Sequence, residues 1–345
     1  VILTLLSMIS MAKVLHLMNT PSDMYGEAYG YIMVICGGIV AQALYNYLAS
    51  VLRALGDSKR PLYFLVIAAL LNIVLDLVFI IVFRMGAAGA AYATVIAQGI
   101  SAVCCLIYIV KRFPILHLER KDFEICWDSF GRLLKLGIPM GLQFSITAIG
   151  TIIVQGAVNV YGEDYMAGFS AAAKIQNVIC TVFVAFGATI ATYVGQNWGA
   201  GKVDRVRQGV RCTQIMILAY SVIAMILVFF FSKYLTYLFI SPSETKVIEV
   251  SVLYFHTVFW CYPFLGSIFL YRNTLQGLGY GLVPMLGGVF ELAARSAIVV
   301  LVAGKTSFAG VCLSDPAAWI SALIPLIPYY IYVTRKWKKQ GKIVM

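Results

Sequence analysis

Apolar runs of eighteen or more residues recur along the whole chain, separated by short polar stretches rich in glycine, proline and charge. Each run is long enough to cross about 30 Å of hydrocarbon as a helix. None shows the alternation of a membrane β-strand, so the pattern predicts an all-α integral membrane protein. The predicted spans lie near residues 1–18, 26–52, 60–83, 87–110, 132–158, 165–194, 210–231, 247–270, 282–303 and 313–333.

The pattern also repeats. Residues 19–23 read Asn-Thr-Pro-Ser-Asp and residues 240–244 read Ile-Ser-Pro-Ser-Glu, each followed by a long apolar segment, a glycine turn and a proline. The first turn runs from Arg53 through Gly56 and Asp57 to Pro61, and the second from Gln276 through Gly279 to Pro284, so both the glycines and the prolines pair at an offset of 223. Duplicated multi-span halves are the plan of secondary transporters, whose substrate sites lie between the repeats. The expected organisation is a first lobe over 1–112, a cytoplasmic linker over 113–131, a second lobe over 132–334 and a basic cytoplasmic tail over 335–345. The second lobe holds six spans and the first only four. The counterpart of residues 130–221, about ninety residues and two spans, is absent upstream of Val1, which predicts a twelve-span plan with about ten spans present.

Composition sharpens this. The hydrophobic fraction is 61% and the charged fraction 12%, with a mean hydropathy of +0.88. A soluble chain carries roughly twice that charge. The net charge of +11 could point to nucleic acid, but its placement argues for a bilayer. With the C-terminus assigned to the cytoplasm, the inner segments carry 19 Lys and Arg, Arg272 among them, and the outer segments carry only Arg84, Lys233, Lys246 and Lys305. That asymmetry follows the positive-inside rule and places the protein in the cell (inner) membrane, with lipid rather than nucleic acid around it. The eight cysteines are scattered through apolar runs without metal-ligand spacing and read as small buried hydrophobes. His16, His117 and His256 are isolated, so no catalytic or metal constellation is visible and an enzyme, such as a membrane-embedded acyltransferase, is disfavoured.

Three stretches are specific: Leu136-Gly-Ile-Pro-Met-Gly141; the run from Gly195, Gln196, Asn197 and Trp198 through Gly199 and Gly201 to Lys202 and Arg205; and Arg53-Ala-Leu-Gly-Asp57 with Pro61 and Leu71-Asn-Ile-Val-Leu-Asp76. Together they resemble the multidrug and toxic compound extrusion (MATE) family over essentially all 345 residues. The resemblance implies two pseudo-symmetric six-helix lobes facing a cleft, working as a monomer. It also implies antiport: a small molecule, expected to be an amphipathic organic cation, leaves as Na⁺ or H⁺ enters. No cofactor is implied beyond that coupling ion. Apart from family, the 195–205 stretch reads as a tight glycine turn held at the inner surface by Lys202 and Arg205.

Asn72 and Asp76 are the sharpest candidates. At i, i+4 they share one face of an apolar span, where an ionisable carboxyl marks either an ion path or a structural partner. The resemblance assigns them to the coupling cation, with Thr94 on the next span as a third oxygen. A further Asp that such members carry on their first span is missing from this chain. Hard oxygen donors suit Na⁺, and a carboxyl raised in pKa by burial could carry H⁺ instead. In the second lobe Thr147 stands where some members carry a Glu, and no acid lies between Glu249 and Glu291, which favours coupling in the first lobe. Glu291 and Arg295, again i, i+4, either neutralise each other or face substrate. Gln143, Gln155, Asn159, Lys174, Gln176 and Asn177 could line the cleft or simply bond between helices. The rival within the same superfamily, a lipid-linked oligosaccharide flippase, would present several cations to a pyrophosphate, whereas only Lys174 and Arg295 fall within the second-lobe spans.

Overall fold

In the computed structural model, described for residues 2–17, 22–116, 126–302 and 308–339, the apolar runs are helices and no strand forms among the described residues. The order is α1 (Ile2–Leu17), α2 (Ser22–Ala54), α3 (Lys59–Leu77, continued by a π turn Val78–Val82), α4 (Gly86–Arg112), α5 (Trp127–Asn159), α6 (Glu163–Gly199), α7 (Val203–Thr236), α8 (Thr245–Val258), a 3₁₀ turn Phe259–Cys261, α9 (Tyr262–Gly277), α10 (Leu282–Val302), the short α11 (Phe308–Cys312) and α12 (Ser314–Lys339). Nine helical segments among the described residues are long and apolar enough to cross a membrane, with α8 and α9 counted as one broken span. The Asn19-Thr-Pro21 stretch, His117, Arg120, Lys121, Lys305 and the tail beyond Lys339 lie outside the described residues.

The chain divides into two compact units, Val1–Glu124 and Ile125–Met345. In the first, α2 and α3 pack on α4 around Tyr45, Leu48, Leu52, Ala102, Cys105 and Ile109. In the second, α6 packs on α7, α8 and α9, while α10 packs on α5 and α12. Its core includes Phe183, Ile217, Phe255, Tyr262 and Leu326. Small residues let the helices approach, as expected where lipid removes the hydrophobic drive. A Cβ on Gly277 of α9 would stand 2.6 Å from the carbonyl oxygen of Ala191 on α6. The outer surface is apolar. On α3 only Pro61 and Ala68 are buried, leaving Leu62, Val66, Leu70, Ile73 and Val74 exposed, as lipid contact requires.

The repeat is visible in the backbone. The offset of 223 carries Ser22–Ala54 onto Thr245–Gly277 and the start of α3 onto the start of α10. Pro61 and Pro284 are both the third residue of their helix, and both are buried. The preceding helices end in the same cap. Gly56 (φ 89°) donates to Arg53 O and Asp57 to Leu52 O, while Gly279 (φ 87°) donates to Gln276 O and Tyr280 to Leu275 O. This is the Schellman pattern, which needs a left-handed residue and therefore glycine. In the first unit Asp57 also accepts from the backbone N–H of Arg60 and from the Tyr108 hydroxyl at 2.8 Å, which ties the turn to α4.

Two boundaries differ from the expected ones. Gly195, Gln196, Asn197 and Gly199 are not loop residues but the last turns of α6, and Arg205 lies exposed in the first turn of α7. The turn itself is only Ala200–Lys202, closed at Gly201 by a third cap of the same kind, with Lys202 donating to Asn197 O. Helical hydrogen bonding continues past the apolar run until a cap can end it. Likewise α12 runs on to Lys339, past the span drawn to 333, and Trp337 is buried in a stack on Trp198 with ring centroids 5.0 Å apart.

Candidate functional site

Each unit carries one unusual polar feature. In the first, Asn72 and Asp76 share a face of α3, and both are only partly exposed. Asn72 Nδ2, Asp76 Oδ1 and Gln98 Oε1, the last on the neighbouring α4, are buried without a hydrogen-bond partner. Among the described residues Asp76 has no ion-pair partner. A carboxylate oxygen closed to water and without a partner is costly. Turning the Asn72 amide would place an oxygen where its nitrogen now stands, which adds to the hard-donor set. Thr94 is placed differently. It is exposed, and its hydroxyl donates to Ala90 O within α4 at 3.0 Å. Gln98 escaped the sequence reading, although it lies one helical turn beyond Thr94 in an apolar span.

In the second unit a cavity of about 590 Å³ opens among α5, α6, α8, α9, α10 and α12. Of the residues expected to line a cleft, Gln143, Gln155, Gln176, Asn177, Glu291 and Arg295 line this chamber, as does Thr147. Asn159 and Lys174 do not. Asn159 accepts from Gln155 at 3.1 Å near the end of α5, and exposed Lys174 sits 5.6 Å from the Phe239 ring. The amides are largely engaged. Gln276 donates to Gln143 Oε1 at 3.2 Å, and the Tyr262 hydroxyl donates to Gln176 Oε1 at 2.8 Å.

The charges in the chamber do not pair as the spacing suggests. Glu291 and Arg295 do not neutralise each other. Glu291 pairs with Arg272 of α9, and Arg295 pairs with Asp315 of α12 at 3.1 Å. Both α10 side chains reach toward different neighbouring helices, so the i, i+4 relation brings them to one region without joining them. Tyr254 of α8 donates to the other oxygen of Asp315 at 2.8 Å. Arg272, counted among the inner basic segments from sequence, is therefore a buried helix residue, and Asp315 is a site residue the sequence reading passed over. Register held a clue to the first, since the repeat pairs Arg272 with Ala49, inside α2. Each pair uses a single guanidinium nitrogen. Arg272 Nε and Arg295 Nε and Nη1 are buried with no partner.

With this geometry in hand, comparison with known proteins points one way. The MatE family model matches residues 1–78 and 139–302. The chain is 35% identical over 269 residues to the "Probable multidrug resistance protein YpnP" of Bacillus subtilis, covering 77% of this chain and 59% of that protein. It is 26% identical over 350 residues to the "Probable multidrug resistance protein YoeA" of the same organism, covering 99% of this chain and 74% of that one. Among solved structures, "Crystal structure of MATE in the bent conformation" superposes with a TM-score of 0.89 at 19% identity, over 98% of this chain and 76% of that one.

Proposed function

The chain belongs to the MatE family of transporters, which are not enzymes, and on that premise we propose that it is a drug exporter driven by inward flow of Na⁺ or H⁺ through Asp76. The observation that carries this reading is the buried Asp76 Oδ1 without a partner, one turn from Asn72 on α3, a helix that packs on the α4 bearing Gln98. A cation there would partner the carboxylate oxygen that is closed to water, so occupancy shifts the balance between conformations. Substrate then leaves by alternating access in a monomer, and the coupling and the drug bias the same equilibrium in opposite directions. Asn72 and Gln98 serve as neutral donors beside the charge. Thr94, already bonded to Ala90, is a minor contributor.

In proteoliposomes carrying the protein as its gene encodes it, Asp76→Asn should abolish efflux driven by an imposed Na⁺ or H⁺ gradient. The swap is nearly isosteric, so expression and insertion should survive. Efflux at near wild-type rate in that variant would mean Asp76 is only structural. We further assign the 53–60 turn and the C-terminus to the cytoplasm. With Arg272 moved into a helix the tally is 18 inner against 4 outer cations, which leaves the expectation intact. Cysteines at Ser58 and Gln340 should resist impermeant thiol reagents in intact cells, and ready labelling would reverse the topology.

A further inference from the structure

The chamber of the second unit holds four charges that sum to zero, yet its donors outnumber its acceptors. Each carboxylate already faces a guanidinium, and each guanidinium makes its ion pair through one nitrogen only. An arginine fork that meets its partner through one nitrogen leaves N–H groups aimed elsewhere, and those groups match a second oxyanion. Three such nitrogens, Arg272 Nε and Arg295 Nε and Nη1, are closed to water as well as unpaired. Orphaned donors on buried charges are costly, and an arriving acceptor relieves that cost. A cationic centre offers these N–H groups no acceptor. It would meet two guanidiniums and could reach a carboxylate only by displacing one of them.

We propose that this chamber seats the acidic group of an amphipathic substrate, a carboxylate on an aromatic or aliphatic body, with Arg272 and Arg295 as its donors. This deepens the export reading and rests on it for the word substrate. It also replaces the organic cation expected from sequence. The body has a place: Phe144, Phe269 and Trp319 line the same cavity, whose volume of about 590 Å³ suits a small organic molecule. Arg272 and Arg295 line the cavity while their orphan nitrogens are closed to water, so a carboxylate gains those donors as each guanidinium turns about its existing pair. Beside Arg295 that turn is left open by Gly150, where a Cβ would stand 3.2 Å from Nη1.

The test is binding to the purified protein in detergent, by calorimetry, of three matched probes: 1-naphthylacetate, 1-naphthylacetamide and 1-naphthylmethylamine. The acetate should bind roughly tenfold or more tighter than the amide, with the amine weakest. Arg295→Met/Asp315→Asn removes both partners and leaves neither charge stranded, and it should lose the preference. If that double variant fails to fold, Arg295→Lys keeps the pair with Asp315 but lacks the fork, and its preference should fall several-fold. An amine that binds as tightly as the acetate overturns the proposal. So does a preference that stays undiminished in either variant. No ion gradient enters the measurement, so failure of coupling at Asp76 and failure of the acid site are read separately.

Discussion

The two halves of the repeat share a backbone and differ in where they carry charge. In register, Ala49 and Ala68 of the first unit, both buried, correspond to Arg272 and Glu291 of the second, and Asn72 corresponds to Arg295. Conversely Asp76 corresponds to Val299. Two positions held by buried alanines in one half carry an ion pair in the other, and Asp76 of one half has a valine as its counterpart in the other. Duplication conserved what geometry demands, the glycine caps and the proline starts, and left side-chain chemistry free to diverge. The four charges of the second unit's chamber are mutually paired, so they contribute to structure. The first unit's Asp76 has no ion-pair partner among the described residues, so its removal should be felt in activity and hardly in stability.

The strongest way to break that contrast is to strand a charge. Arg272→Ala leaves Glu291 buried and alone, and should lower stability by roughly 3–5 kcal/mol. Arg272→Met/Glu291→Gln removes the mismatch and should recover much of the loss, while Asp76→Asn should leave stability unchanged or raise it. Thermal unfolding of the purified variants in one detergent measures all three. If Asp76→Asn melts as low as Arg272→Ala, Asp76 has a structural partner and the contrast collapses.

A smaller effect sharpens the second half's side. Tyr254→Phe removes the hydroxyl that reaches Asp315 at 2.8 Å and leaves a carboxylate oxygen short of a donor. Hydrogen bonds to charged groups contribute roughly 1.5–3 kcal/mol, so a loss near 2 kcal/mol is expected in the same unfolding measurement. No change in melting would show that Asp315 is held by Arg295 alone.

These contrasts also explain what could be read from the sequence. The helices are legible because a chain in lipid must bond its own backbone, which makes each long apolar run a helix whatever its neighbours do. The turns at Gly56 and Gly279 are legible because a left-handed cap needs glycine there. Partner choice is not. Glu291 and Arg295 look like a pair at i, i+4, but each finds its partner on another helix, and nothing local specifies α9 or α12. Arg272 falls outside the span drawn at 247–270 because hydropathy drops before the helix ends at Gly277. Only the register of the repeat, which sets it opposite Ala49, restores it. Gln98 is hidden for a simpler reason: a neutral amide in a span usually bonds between helices and attracts no notice.

Helix approach offers an intermediate test. Gly277→Ala in the second unit would press a methyl group against a helix carbonyl, Ala191 O, which is pinned by its own backbone. Gly38→Ala in the first unit meets only side-chain atoms of Val95, Cγ2 at 2.2 Å and Cγ1 and Cβ at 3.0 and 3.1 Å, with no backbone atom among them. Overpacking against backbone should cost roughly 1–3 kcal/mol at Gly277 and less at Gly38, again by thermal unfolding. Equal losses would mean Val95 is as immobile as the α6 backbone.

The smallest expected effect concerns Thr94, and it bears on where the coupling site ends. Its hydroxyl already donates to Ala90 O inside α4, and the side chain is exposed. Such a back-bond competes with the helix's own hydrogen bonding and contributes little, so Thr94→Ala should change stability by no more than about 0.5 kcal/mol. Gradient-driven efflux should stay within roughly twofold of wild type, because the charge at Asp76 and the amides of Asn72 and Gln98 remain to hold the ion. Asn72→Ala and Gln98→Ala should each weaken efflux more than Thr94→Ala and less than Asp76→Asn. Initial rates of efflux from proteoliposomes under one imposed gradient rank the four variants. A Thr94→Ala rate as low as that of Asp76→Asn would show that its hydroxyl oxygen is a principal ligand, and the site would then centre between Asp76 and Thr94 rather than between Asp76 and Gln98.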